Sequence, residues 1–284
     1  YPDTVVIDGQ PVPATIYEQV RETVNVSRGG VLGLYPLSMT RRFEATLSYN
    51  DFGFDARRER IAVVGGSVVG RSEDDVPTRA GYGYGDASAA YVVDTSNFGF
   101  SSPLRGTRMR VEAGQVFGDF TFATALVDYR RYVFFRPGAF AVRAMHYGRY
   151  GGDVDDGRLA PLNVGQETLI RGYRVGSFDL DECSTVPGDP TACPEFDRLE
   201  GNRLGVLNLE LRLQVLGTEA FGLAEMPFLP TEISAFVDVG AAWSGGDSLE
   251  LRFEEETLQR VPVVSAGVAA RILVGGYVPI QLYY

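Results

Sequence analysis

Apolar and polar residues alternate one for one along most of this chain. In RLGVLNLELRLQVL (203–216), Leu207, Leu209, Leu211 and Leu213 share one face, and Asn208, Glu210, Arg212 and Gln214 share the other. A period of two is that of a β-strand, whose side chains point alternately to opposite faces; the 3.6-residue helical period is almost absent. SAFVDVGAA (234–242) sets Ala235, Val237, Val239 and Ala241 against Ser234, Phe236, Asp238 and Gly240. VVSAGVAARILV (263–274), RRFEATLSYN (41–50), TRMRVEA (107–113) and FATALVDYRRY (122–132) follow the same design. Weaker alternation near 18–35, 80–97, 137–150 and 279–284 brings the expected total to about ten strands. Many exceed ten residues, whereas strands of soluble domains average about five or six.

The connections sort by length. PLSMT (36–40), FGFSSPL (98–104), RPG (136–138) and YVP (277–279) read as short turns, and 55–79, 151–201 and 245–261 as long loops on the opposite rim. GD (118–119) and 217–231 break that rule. Tyr35, Phe98, Phe100, Tyr132, Phe134, Phe135, Tyr147 and Tyr150 gather near strand ends, as in the aromatic girdles of membrane barrels. No run of about 18 apolar residues marks a transmembrane helix, but spanning strands carry no such signal. Charged residues in mid-strand suit a wide, wet lumen better than a packed core. The expected fold is therefore all-β: a transmembrane antiparallel up-and-down β-barrel. A soluble, secreted β protein shares the alternation and is the competing fold.

Composition narrows the chemistry. The 284 residues carry a net charge of −11, and every one of the 26 basic residues is arginine. A lysine-free chain fits a GC-rich genome or a saline habitat; an acidic chain without basic runs argues against a nucleic-acid partner. His146 is the only histidine, and alternation puts it with Phe140, Val142 and Ala144, facing lipid near a rim and away from any catalytic role. DVDDG (153–157) and the group Asp179, Asp181 and Glu182 are shorter than a calcium-binding loop and read as solvated acidic loops. GGSVVG and GYGYGD lack the lysine or helix of a phosphate site. No enzyme activity, cofactor or metal is expected. Cys183 and Cys193, in DECSTVPGDPTAC, read as a local disulfide formed in an oxidising compartment, with free thiols as the alternative.

One loop stands apart. ETLIRGYRVGSF (167–178) sets Arg171, Gly172 and Tyr173 between apolar residues inside the long loop 151–201. A loop of that length either extends into solvent or folds back. Folded back, its arginine needs a partner, because an unpaired charge in a confined lumen is costly. Asp238 and Glu210, on the polar faces of the next two strands, can accept the guanidinium fork; Gly172 permits a tight turn, and Tyr173 can stack on the wall. An ordinary exposed loop arginine is the other reading.

LIRGY (169–173) resembles the (V/I)RG(F/Y) motif of the BamA/TamA superfamily of outer-membrane barrels, bacterial surface antigens that include two-partner secretion transporters. FVDVG (236–240) resembles that family's Phe-x-Asp-x-Gly strand motif, and GNRLGVLNLELRL (201–213), with inward Glu210 and Arg212, is similar to the strand between them. YPLSMTRRFE (35–44) and LVDYRRY (126–132) resemble upstream strands of such barrels. The resemblance implies a barrel of roughly sixteen strands with the loop tucked inside and Arg171 paired to Asp238, in the setting of Phe236 and Gly240. It implies that 1–284 is a C-terminal barrel domain incomplete at both ends, preceded in the family by periplasmic POTRA or other domains that this stretch does not contain. It further implies a seam that opens laterally, a place in the bacterial outer membrane, and work in insertion or translocation of proteins. Outer-membrane lipids, client proteins and periplasmic accessory proteins are the implied partners. A passive pore or substrate channel with a plugging loop is the alternative.

Overall fold

A computed structural model describes residues 2–7, 10–99, 101–174, 176, 183–184, 193–247, 249, 261–275 and 277–284. The acidic group Asp179, Asp181 and Glu182, most of the loop 245–261, and Phe100 lie outside these residues.

The strands, in chain order, are β1 (Pro2–Ile7), β2 (Gln10–Ser38), β3 (Arg41–Val64), β4 (Ser67–Val76), β5 (Tyr82–Asp94), β6 (Asn97–Phe98), β7 (Pro103–Gly118), β8 (Phe122–Phe135), β9 (Gly138–Tyr150), β10 (Leu162–Asn163), β11 (Glu200–Gly201), β12 (Arg203–Gly217), β13 (Ala224–Glu225), β14 (Thr231–Trp243), β15 (Val263–Val274) and β16 (Val278–Tyr283). A short 3-10 turn, Gly152–Asp155, and one helical turn, Pro194–Asp197, sit in the loop between β9 and β12. Among the described residues, no helix is long and apolar enough to cross a membrane.

One fourteen-stranded sheet runs in the order β1-β2-β3-β5-β7-β8-β9-β12-β14-β15-β16, with β4, β6 and β13 as side branches. Successive main strands from β7 to β16 pair antiparallel. The sheet is antiparallel, as expected, and is not closed into a barrel. Closure needs the two edge strands to find partners, and among the described residues each keeps one edge unpaired. The stretch 55–79, expected as a long loop, is instead mostly sheet: β3 continues to Val64 and turns back into β4, pairing Ala56 with Val76. Its alternation is masked by charge on both faces, as in ARRER (56–60).

The chain forms two compact units, and β2, β3, β5 and β7 contribute residues to both. The first comprises 1–31, 47–86 and 117–119. It buries a small cluster of Ala14, Ile16 and Ala62, and Glu18 bridges Arg58 and Arg60. The second comprises 32–46, 87–116 and 120–284 and holds the candidate site.

In the second unit the two sheet faces invert the arrangement of a water-soluble sheet. On β12, Leu207, Leu211 and Leu213 are exposed, whereas Glu210, Arg212 and Gln214 are buried. On β14, Ile233 and Val237 are exposed, whereas Glu232, Ser234 and Asp238 are buried. The register carries this across the sheet, since Glu210 stands opposite Phe236 and Asn208 opposite Asp238. Tyr132, expected in a rim girdle, instead lies buried on the polar face with its ring 5.7 Å from the Arg212 guanidinium carbon. Alternation from Asp128 and Arg130 puts it there.

Candidate functional site: an ion-pair clasp on the polar face

The loop between β9 and β12 is tied at its base and pressed onto the polar face at its tip. β10 and β11 pair Leu162 with Gly201 and Asn163 with Glu200. A helical turn follows, with the amides of Leu169 and Ile170 both donating to the Gln166 carbonyl at 2.8 Å. Val164 and Ile170 are fully buried and pack with Leu199, Leu204, Val206, Ala242 and Val263. Tyr173 joins this apolar cluster. Gly172 has φ +90°, which L side chains rarely adopt, so a glycine lets the chain turn immediately after Arg171.

That turn delivers Arg171 to Asp238. Nε and Nη2 donate to the two carboxylate oxygens at 2.8 Å each, and the Arg171 backbone amide adds a third bond at 3.0 Å. The remaining arm, Nη1, donates to Glu210 at 3.0 Å. The Phe236 ring lies 3.8 Å from the guanidinium carbon. Asp238 is completely buried and the Arg171 side chain is 12% exposed, so little water competes for these bonds. Parallel guanidinium–carboxylate bonds are among the strongest polar contacts a protein makes, and removing one partner strands the other charge.

Two strand residues hold the loop backbone beside the ion pair. Asn208 donates to the Leu169 carbonyl at 2.8 Å, and Arg143 donates to the Thr168 carbonyl at 2.9 Å. Arg143 also grips Asp128, which pairs with Arg130. Beside the clasp is a polar cavity of about 300 Å3, bounded by Arg130, Arg143, Arg171, Arg271 and Gln281.

Glu210 passes the contact onward. It is shared between Arg171 and Arg212, whose Nε approaches at 3.1 Å. Arg212 in turn donates through Nη1 to the Pro103 carbonyl at 3.0 Å. Ser102 and Pro103, from the stretch 98–104 expected as a simple turn, therefore reach over the polar face. There Ser102 donates to Glu232, which also accepts from Gln214 and from Arg271. Ser102, Gln214 and Glu232 are all nearly inaccessible to water. Sequence reading missed Ser102, Glu232 and Arg143; the polar-face alternation that picked out Glu210 also holds for Glu232, two turns of the pleat before Phe236.

The other sequence candidates are accounted for locally. Cys183 and Cys193 form a disulfide. Within the same loop the Glu195 carboxylate accepts from the Ser184 hydroxyl and amide, and these bonds hold its pKa below the usual carboxylate range. In DVDDG, Asp153 accepts from the Thr121 amide, Asp155 from Asn202, and Asp156 from Arg158. Among the described residues, no group of three His, Cys, Asp or Glu side chains gathers as a metal site would. His146 sits on the apolar face, bonded to the Leu204 carbonyl and the Tyr150 hydroxyl.

No protein-family model and no curated protein matches the chain. The geometry around Arg171 and Asp238 stands on its own bonds.

Proposed function

We propose that this chain is the wall of an outer-membrane β-barrel of the BamA/TamA kind, acting in insertion or translocation of proteins at the bacterial outer membrane. The observation that supports this most is the inverted sheet with a loop clasped to its charged face. Exposed Leu207, Leu211, Ile233 and Val237 suit a lipid boundary, and buried Glu210, Arg212, Glu232 and Asp238 suit the interior of a barrel. In this reading the clasp is a scaffold device and performs no covalent chemistry. Arg171 and Asp238 keep the loop folded inward, which occludes the lumen and stiffens the wall against which client segments would move.

Reconstitution tests the proposal. The full-length protein in liposomes should speed the folding of an unfolded outer-membrane protein into the same vesicles, and should give little steady conductance in a planar bilayer. A large constant open current without any acceleration of folding would instead identify a passive pore. Recovery of the full-length protein in water without detergent would exclude the membrane wall altogether.

A further inference from the structure

The apolar face of the same strands carries an arrangement that the clasp does not use. At the rim where β9 and β14 end and β12 begins, Trp243, the chain's only tryptophan, lies flat across the wall. The indole edge lies over Gly205, 3.4 Å from where a Cβ would stand. Across that gap the indole stacks on His146, with centroids 5.7 Å apart and planes inclined by 26°. His146 is itself held by Leu204 and Tyr150. From this aromatic shelf a groove of about 420 Å3 extends toward mid-strand, bounded by Val127, Ala144, Leu207, Val239 and Pro262.

Arg203 stands at the rim end of the shelf. Its guanidinium carbon lies 4.8 Å over the Tyr150 ring, and its Nε is buried without a hydrogen-bond partner. No carboxylate among the described residues pairs with it. A guanidinium that no described carboxylate neutralises, standing at the end of an apolar groove, is matched by an amphiphile with an anionic head. A peptide strand fits poorly, because an apolar groove would leave its backbone N–H and C=O groups unpaired.

We propose that the shelf and groove bind an anionic, phosphate-bearing lipid, with an acyl chain along the groove and the headgroup phosphate on Arg203. The proposal rests on the membrane-wall reading above. Trp and Tyr belong at the headgroup level of a bilayer, and a cation there attracts anionic lipid. Guanidinium donors match phosphate oxygens directly.

Trp243 supplies the readout, with any tryptophan outside residues 1–284 replaced by phenylalanine. The full-length protein is reconstituted in phosphatidylcholine vesicles doped with either phosphatidylglycerol or phosphatidylcholine carrying brominated acyl chains, and quenching of Trp243 fluorescence is followed. Brominated phosphatidylglycerol should reach half-maximal quenching at roughly one-fifth the mole fraction that brominated phosphatidylcholine needs, the preference one arginine confers. Arg203→Gln should abolish that preference, and Arg203→Lys should keep most of it. Equal quenching by the two lipids in the unaltered protein overturns the lipid site while leaving the membrane wall standing. So does a preference that survives in Arg203→Gln. If neither lipid quenches, Trp243 does not face lipid, and the membrane reading of this face falls as well. Should Arg203→Gln fail to fold, the comparison of the two lipids on the unaltered protein still decides.

Discussion

Gly240 on β14 is bare where Ile170 of the loop comes down. A Cβ at 240 would collide with Ile170 Cδ1 and would lie 2.8 Å from Val164 Cγ2. Ile170 and Val164 are both fully buried, so neither has free space to retreat into. Asp238, two residues earlier on the same face, receives the neighbouring Arg171. One strand thus offers a socket and an anchor to consecutive residues of the loop.

Gly240→Ala should lift the tip without removing any polar partner. Overpacking a filled site costs about 1–3 kcal/mol. Faster amide hydrogen exchange at Leu169 and Ile170, with unchanged exchange in β8, is the expected signature. Unaltered exchange at the tip would mean that the socket accommodates a methyl group.

Arg171→Ala leaves Asp238 buried with its best partner gone. The expected loss is about 3–5 kcal/mol, read as a lower urea midpoint for the protein in detergent. Asp238→Asn should also destabilise, and the double variant should lose less than the sum of the two. Strict additivity would show that the two side chains do not act as a pair.

Glu232 accepts from Ser102, Gln214 and Arg271, so Glu232→Ala leaves three donors without their acceptor. Its cost should exceed that of Ser102→Ala, which removes one donor at about 0.5–1.5 kcal/mol. Thermal unfolding of both variants ranks them; the reverse order would mean that Glu232 does not gather these donors.

Leu211 is 44% exposed on the apolar face. Arginine at that position should cost about 2–4 kcal/mol if the site faces the hydrocarbon midplane. On a water-facing surface the same change should fall within about 0.5 kcal/mol. Unfolding of Leu211→Arg in lipid vesicles separates the two.

Asp156 lies in the loop after β9, outside the strands. The Arg158 side chain, with help from its amide, pulls the Asp156 carboxyl down from 3.8 to about 2. A depressed folded-state value stabilises above the ordinary pKa, and the contribution disappears as pH falls through about 2. Carboxyl NMR should find that midpoint in the unaltered protein and a higher one in Arg158→Gln, still below 3.8 because the amide bond remains. The same midpoint in both proteins would rule out the pair.

Strand positions were legible because alternation is a local property. The stretch 263–274 coincides with β15 from end to end, since Val264, Ala266 and Val268 alternate with small or polar residues and nothing interrupts the pleat. The reading failed at 55–79, where ARRER puts charge on both faces and hides the period. It failed differently at Ser102 and Pro103, assigned to a turn by length but bonded across the polar face. Ser102 and Glu232 are 130 residues apart, and neither residue type announces the other.

The site divides the same way. That Arg171 needs an acceptor, that Glu210 and Asp238 share the polar faces of adjacent strands, and that Gly172 frees the turn all follow from residue chemistry and a period of two. Those are local facts, present before folding. Which acceptor takes the fork, that Arg143 and Asn208 hold the loop backbone, and that Gly240 is a socket for Ile170 depend on register across β9, β12 and β14. So does the shelf of Trp243 over Gly205 toward His146. Sequence determines which face each side chain takes; only the paired strands decide which side chains meet, because hydrogen-bond register sets distances between residues that the chain itself leaves far apart.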